Sequence, residues 1–155
     1  MSKPSAIRAL DVAARTMTIY PPEYAAALAG RAKRALGDQF GLTQFGVNLT
    51  TLAPGSWSAE RHWHEMEDEF IYVLEGELTL VDDHGEHTLT PGMCAGFKAG
   101  VPNGHKLVNK SKSPAAFLEL GTRSADERSH YPEADMQGVK AGGKWQILHK
   151  DGMPY

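Results

Sequence analysis

The spacing of apolar and polar positions changes character near residue 45. Upstream, Tyr24 to Ala35 is dominated by Ala and Leu with Pro21-Pro22 at its entrance, and propensity predicts a helix there, weakened at Gly30. Downstream come short runs rich in β-branched, aromatic and aliphatic residues: Phe45 to Leu52, Phe70 to Leu74, Glu77 to Val81, Met93 to Phe97, Lys106 to Val108 and Ala116 to Leu120. Turn signals separate them at Pro54-Gly55, Asp82-Asp83-His84-Gly85, Pro91-Gly92, Pro102-Asn103-Gly104, Ser113-Pro114 and Gly121. Many short strands without helices between them predict an all-β antiparallel sandwich or barrel rather than βαβ units.

In Phe70-Ile71-Tyr72-Val73-Leu74 both alternate faces are apolar. One face can line the barrel, and the other needs cover from a second sheet, the N-terminal arm or a partner subunit, which points to a homodimer. The tail after Gly121 is polar until Trp145-Gln146-Ile147-Leu148, which reads as an edge strand in this subunit or across a dimer. The chain thus divides into an N-terminal arm packing on the barrel (1–44), the barrel (45–121) and a C-terminal extension (122–155).

At 155 residues the chain suits one domain that buries roughly two-thirds of the surface its unfolded form exposes. The single cysteine, Cys94, excludes an internal disulfide, and its apolar run predicts a small core residue. Net charge is -3 with both signs interspersed, so no basic stripe is available for nucleic acid. The local basic group Arg31, Lys33, Arg34 reads as a solvated surface. The chain start, Met1 to Ser5, leads into no apolar leader, and no run approaches the roughly 20 residues that cross a bilayer. A cytoplasmic protein with neither nucleic-acid nor membrane partners is expected.

The chemistry concentrates in Arg61-His62-Trp63-His64-Glu65-Met66-Glu67-Asp68-Glu69. On a strand, residues i and i+2 share a face, so His62 and His64 project together while Arg61 and Trp63 point away. If the chain turns at Glu65 to Asp68 and returns as the next strand, Glu69 comes back beside them, and the three converge from one hairpin. Two imidazoles with one carboxylate suit zinc, iron, copper or nickel, whereas calcium and magnesium require more oxygen. His105, opening the run Lys106-Leu107-Val108, offers a further imidazole. Three neutral histidines and one carboxylate around a divalent ion leave about one net positive charge, which favours an anionic ligand in the open positions.

These residues resemble the two motifs of the cupin superfamily. The first is Gly55, then His62-x-His64, four residues, Glu69, six residues and Gly76, with one residue more than usual between glycine and histidine. The second is Gly92, five residues and Lys98-Ala99-Gly100, followed by His105, three residues and Asn109. Lys98 stands where the family usually has proline, and Val101 to Gly104 is two residues longer than usual, so strict counting puts Asn103 at the ligand position. His105 is preferred because it keeps the spacing to Asn109 and because imidazole is the better ligand. The resemblance implies a double-stranded β-helix, or jelly-roll barrel, holding one divalent transition metal (Zn, Fe, Mn or Ni) through His62, His64, Glu69 and His105. The flanks, including Asp151-Gly152-Met153-Pro154-Tyr155, are similar to a bacterial single-domain subgroup sometimes described as sugar-phosphate-isomerase-like.

The leading expectation is a metal-dependent enzyme that isomerises a small, oxygen-rich molecule such as a sugar or sugar-acid derivative. The base is not identified in the sequence; Lys98 and Tyr72 are candidates. Alternatives are an iron-dependent dioxygenase, a non-catalytic metal or small-ligand binding module, and a closed structural zinc site. His84, His87, His130 and His149 read as solvated histidines, and Trp57, Trp63 and Tyr72 as packing or rim residues.

Overall fold

The computed structural model describes residues 4–155. Met1 to Lys3, the beginning of the segment read above as leaderless, lie outside the described residues. In chain order the strands are β1 (Arg31–Ala35), β2 (Phe45–Leu52), β3 (Trp63–His64), β4 (Glu69–Glu75), β5 (Leu78–Asp82) and β6 (Gly85–Leu89). There follow β7 (Cys94–Phe97), β8 (Lys106–Val108), β9 (Ala115–Thr122), β10 (Glu127–His130), β11 (Gln137–Ala141) and β12 (Lys144–Leu148). One layer is a five-stranded antiparallel sheet in the order β1-β2-β9-β4-β7. The other consists of β12-β11-β10-β3 and β6-β5-β8, joined where His62, just before β3, bridges His105, just before β8. Leu52, Val73, Leu78 and Phe117 fill the space between the layers and are fully buried.

Strand β2 begins and ends where its pattern places it, and so does β8. Alternation along β4 buries Ile71 and Val73 in the core. Gly76, which closes the first motif, turns the chain at φ 73°, and a Cβ there would sit 2.6 Å from the Pro114 carbonyl oxygen. Only glycine combines that backbone conformation with that close approach.

Three expectations are corrected. The helix over Tyr24 to Ala35 is replaced by α1 (Pro22–Ala25), a 3₁₀ turn at Ala26–Leu28 and then β1. With only Leu28 and Ala35 buried, the segment has no apolar stripe to recover the cost of helix nucleation, whereas the free edge of β2 supplies backbone partners from Arg31↔Leu52 to Ala35↔Asn48. The basic group is not a solvated surface, because β1 turns Arg31 and Lys33 toward the interior cavity, where both are partly buried. Cys94 is exposed on β7, since alternation gives the inward positions to Ala95 and Phe97.

The run Trp145 to Leu148 falls within β12, which pairs with β11 of the same chain and forms the edge of its sheet. A second short helix, α2 (Leu36–Phe40), links β1 to β2 and ends at Gly41 in the left-handed conformation. Among the described residues no helix is long and apolar enough to cross a membrane.

Candidate metal centre

His62 and His105 face each other across an antiparallel bridge: the His62 N–H donates to the His105 carbonyl (3.2 Å) and the His105 N–H to the His62 carbonyl (2.9 Å). Their rings lie 5.1 Å apart. Two residues on, in β3, His64 projects from the same face with its ring 5.0 Å from that of His62. Glu69 opens β4 in the opposite sheet. The set therefore converges across the interior rather than from one hairpin, because β3 pairs with β10 while β4 pairs with β7 and β9. The Nε2 atoms of His105, His64 and His62 stand 2.7, 3.6 and 3.8 Å from the Glu69 carboxylate. Phe97 stacks flat on His105 at 3.5 Å between centroids, and Tyr131 stacks on His62 at 5.7 Å, so packing orients both rings.

Backbone contacts settle which nitrogen carries the proton. His62 Nδ1 donates to the Glu60 carbonyl at 2.8 Å, and His105 Nδ1 to the Asn103 carbonyl at 3.2 Å. A carbonyl only accepts, so in the neutral form of each ring the lone pair lies on Nε2, toward Glu69. Burial, with His64 and His105 nearby, pushes His62 down to about 3 despite the opposing charge of Glu69, so it is neutral at pH 7. In the metal-free chain His105 Nε2 donates to Glu69 at 2.7 Å only when that nitrogen also carries a proton, the position a bound ion would take. Burial alone would raise Glu69, but this bond and the three imidazoles outweigh it and hold the carboxyl well below the usual carboxylate range. Imidazole lone pairs and an ionised carboxylate facing one point are a donor set that fits a divalent transition metal. His62, Glu69 and His105 each offer a ligand atom within 4.8 Å of the others.

Asn103 is directed elsewhere: its amide nitrogen bonds Asp82 Oδ2 at 3.2 Å, and its carbonyl accepts the Asp83 N–H at 2.9 Å. The insertion before His105 loops out, leaving the histidine rather than the asparagine beside Glu69. A second cluster, His64, Glu67 and Glu127, also brings ligand atoms within 4.8 Å of one another, and His64 Nδ1 is buried without a hydrogen-bond partner. Glu127 already accepts backbone N–H groups from Glu65, Met66 and Arg128, and Glu67 accepts from Lys140 and the Ser124 N–H. These commitments leave few free lone pairs for a second ion.

A cavity of about 960 Å³ has His62, His64 and Glu69 in its lining, and an adjoining one of about 210 Å³ reaches His105 as well. The larger lies in the range of small-molecule sites. Both are lined by Tyr20, Arg31, Lys33 and Glu119. Glu119 forms an ion pair with Lys33 and accepts the Asn48 side-chain amide at 3.1 Å. Burial, followed by the neighbouring Tyr131, pushes the Tyr20 hydroxyl well above the usual phenol range. Tyr72 and Lys98 line neither cavity: Tyr72 is exposed on the outer face of β4, and Lys98 is exposed after β7. The titratable cavity residues absent from the sequence reading carried one legible signal, in that Glu119 is the sole charged position in the otherwise apolar run Ala116 to Leu120.

The other histidines stay outside both cavity linings. His130 stacks on Trp63 and bonds Glu65 at 2.7 Å, His149 bonds Asp135 at 2.7 Å, and His87 reaches Asp82 at 3.2 Å.

A two-layer β-barrel with this histidine–carboxylate set defines a class, and comparison with known proteins places the chain in it. The cupin domain model matches residues 48–121. A protein from Silicibacter pomeroyi, described as a sugar phosphate isomerase of the cupin superfamily, is 45% identical and superposes with a TM-score of 0.92, covering 97% of this chain and 96% of its own. This protein belongs to the cupin superfamily. It is also similar to a putative sugar phosphate isomerase from Acidithiobacillus ferrooxidans (28% identity, TM-score 0.73, 82% of each chain). A polyketide cyclase from Streptomyces resistomycificus shares 25% identity at a TM-score of 0.62, over 77% of this chain and 79% of its own. Among curated proteins none matches the chain.

Proposed function

We propose that this cupin is a metal-dependent enzyme that moves a proton between adjacent carbons of a small, oxygen-rich substrate, a sugar or sugar-acid derivative. The observation that carries the reading is the convergence of His62, His64 and His105 Nε2 on Glu69, beside a cavity whose lining also includes the carboxylate of Glu119, which is outside that cluster and is held by Lys33 and Asn48. His62, His64, Glu69 and His105 hold the ion. A divalent metal bound there supplies Lewis acidity, polarising a carbonyl so that the neighbouring C–H becomes acidic. Glu119, oriented by Lys33 and Asn48, takes that proton and returns it to the adjacent carbon. Tyr20 and Tyr131 wall the cavity and keep proton-bearing hydroxyls near the substrate oxygens. The similarity to proteins described as sugar phosphate isomerases supports the same substrate class.

Metal content by mass spectrometry on protein purified without chelators or nickel resin tests the site, beside the double variant His62→Ala, His64→Ala. Near-stoichiometric metal, lost in the variant, is expected. Metal-dependent deuterium uptake from heavy water into a panel of sugar acids and sugar phosphates then tests the reaction. Iron with oxygen consumption and no exchange would replace isomerisation by dioxygenase chemistry, and a folded protein without metal would overturn the reading.

The enzyme acts as a homodimer in this reading. Phe70, Tyr72 and Leu74 form an apolar row on the outer face of β4, each 40–42% exposed, and a second copy is the cover the alternation calls for.

A further inference from the structure

We propose that Arg31 is the anion anchor of the metal cavity, its guanidinium recognising a carboxylate or phosphate group on the substrate. The inference rests on the reading of this cavity as a substrate site, and adds that the substrate is charged and which residue selects it.

The charges in the lining carry the argument. The larger cavity is lined by the cations Arg15, Arg31, Lys33, Arg123 and Lys140 and by the carboxylates of Asp38, Glu67, Glu69 and Glu119. Arg15 and Arg123 both pair with Asp38, at 3.5 and 2.6 Å. Lys33 pairs with Glu119, and Lys140 with Glu67 at 2.6 Å. Arg31 differs from all of these. Its Nη1 donates to the Ser58 carbonyl at 2.7 Å and its Nη2 to the Met17 carbonyl at 3.5 Å, both neutral acceptors. Its Nε is buried with no hydrogen-bond partner. Among the described residues no carboxylate forms an ion pair with it.

A half-buried guanidinium tied to two carbonyls is held in place but not neutralised, and an unmade bond on a buried N–H is costly. Of the five guanidinium N–H donors the two carbonyl contacts use two, so each Nη keeps a second N–H for an anion. Guanidinium presents paired N–H groups in a planar fork that matches the two oxygens of a carboxylate or phosphate, and the carbonyl contacts pre-orient it. Its location suits this role: Arg31 lines the small cavity together with His62, His64, Glu69 and His105. At about 210 Å³ that space equals roughly seven waters of liquid volume, so a compact substrate can touch both the fork and the metal ligands at once.

Calorimetric titration of the metal-loaded protein tests the inference with three six-carbon probes: gluconate, sorbitol 6-phosphate and neutral sorbitol. At least one charged probe should bind more tightly than sorbitol, and the stronger one identifies carboxylate or phosphate as the group read. Arg31→Gln should weaken that probe about ten- to a hundredfold, with sorbitol binding and metal content unchanged. Arg31→Lys should recover only part, because the fork is lost. Equal binding of charged and neutral probes, or unchanged anion affinity in metal-loaded Arg31→Gln, overturns the inference. Failure of the metal reading is separate, since it shows as wild-type protein without metal. If Arg31→Gln does not fold, phenylglyoxal labelling of the wild type decides: the tighter charged probe should protect Arg31, located by fragmentation mass spectrometry, and equal labelling with and without it overturns the proposal.

Discussion

His62 is useful as a metal donor only while neutral, and its burial ensures this. In the folded chain it titrates at about 3, against 6.5 for the free side chain. Between those values the unfolded chain binds more protons than the folded one, so stability rises with pH through that window. Chelator-treated protein should therefore lose stability in urea unfolding as pH falls from about 6.5 toward 3, and His62→Gln should flatten that slope. Glu69 adds loss of the same sign at lower pH, because its depressed carboxyl must take up a proton. A variant at Glu119, the proposed base, separates ligand from base. Glu119→Gln should keep its metal while deuterium exchange drops by a factor on the order of 10² to 10⁴, and loss of metal instead would make Glu119 part of the ion site.

Individual elements show where periodicity suffices and where it does not. Strand β2 has eight residues of strand-like composition beside a clear turn signal, and β8 is a three-residue apolar run, so both were legible with their bounds. Strands β1, β10 and β11 read Arg-Ala-Lys-Arg-Ala, Glu-Arg-Ser-His and Gln-Gly-Val-Lys-Ala, and none has a clean apolar alternation. Such segments become strands because a neighbour offers unpaired backbone groups, which single-sequence composition does not report. The turn at Gly76 lies at the other extreme, where local stereochemistry dictates the residue. Gly76→Ala should destabilise by about 1–3 kcal/mol, read from the urea midpoint, since the left-handed backbone and the contact with the Pro114 carbonyl both resist a Cβ. An unchanged midpoint would mean that the β4–β5 turn can open at little cost.

At the level of the whole molecule, the two layers bring the His62–His105 bridge of one face against Glu69 of the other, and the cavity exists only between them. The outer face of β4 bears on assembly. Tyr72→Glu should convert the proposed dimer to a monomer by light scattering while leaving metal content intact, because Tyr72 points away from the site; a wild-type monomer would remove the dimer from the account. The two-residue spacing of His62 and His64, the carboxylate at Glu69 and the strand-and-turn rhythm of residues 45–121 were determined locally, since strand geometry alone puts i and i+2 on one face. Other features awaited the folded chain: the convergence across two sheets and the inward placement of Arg31, Lys33 and Glu119. Alternation says that neighbouring residues face opposite ways but not which way is inward, and that choice is made only when strands far apart in sequence pair and close around a common interior.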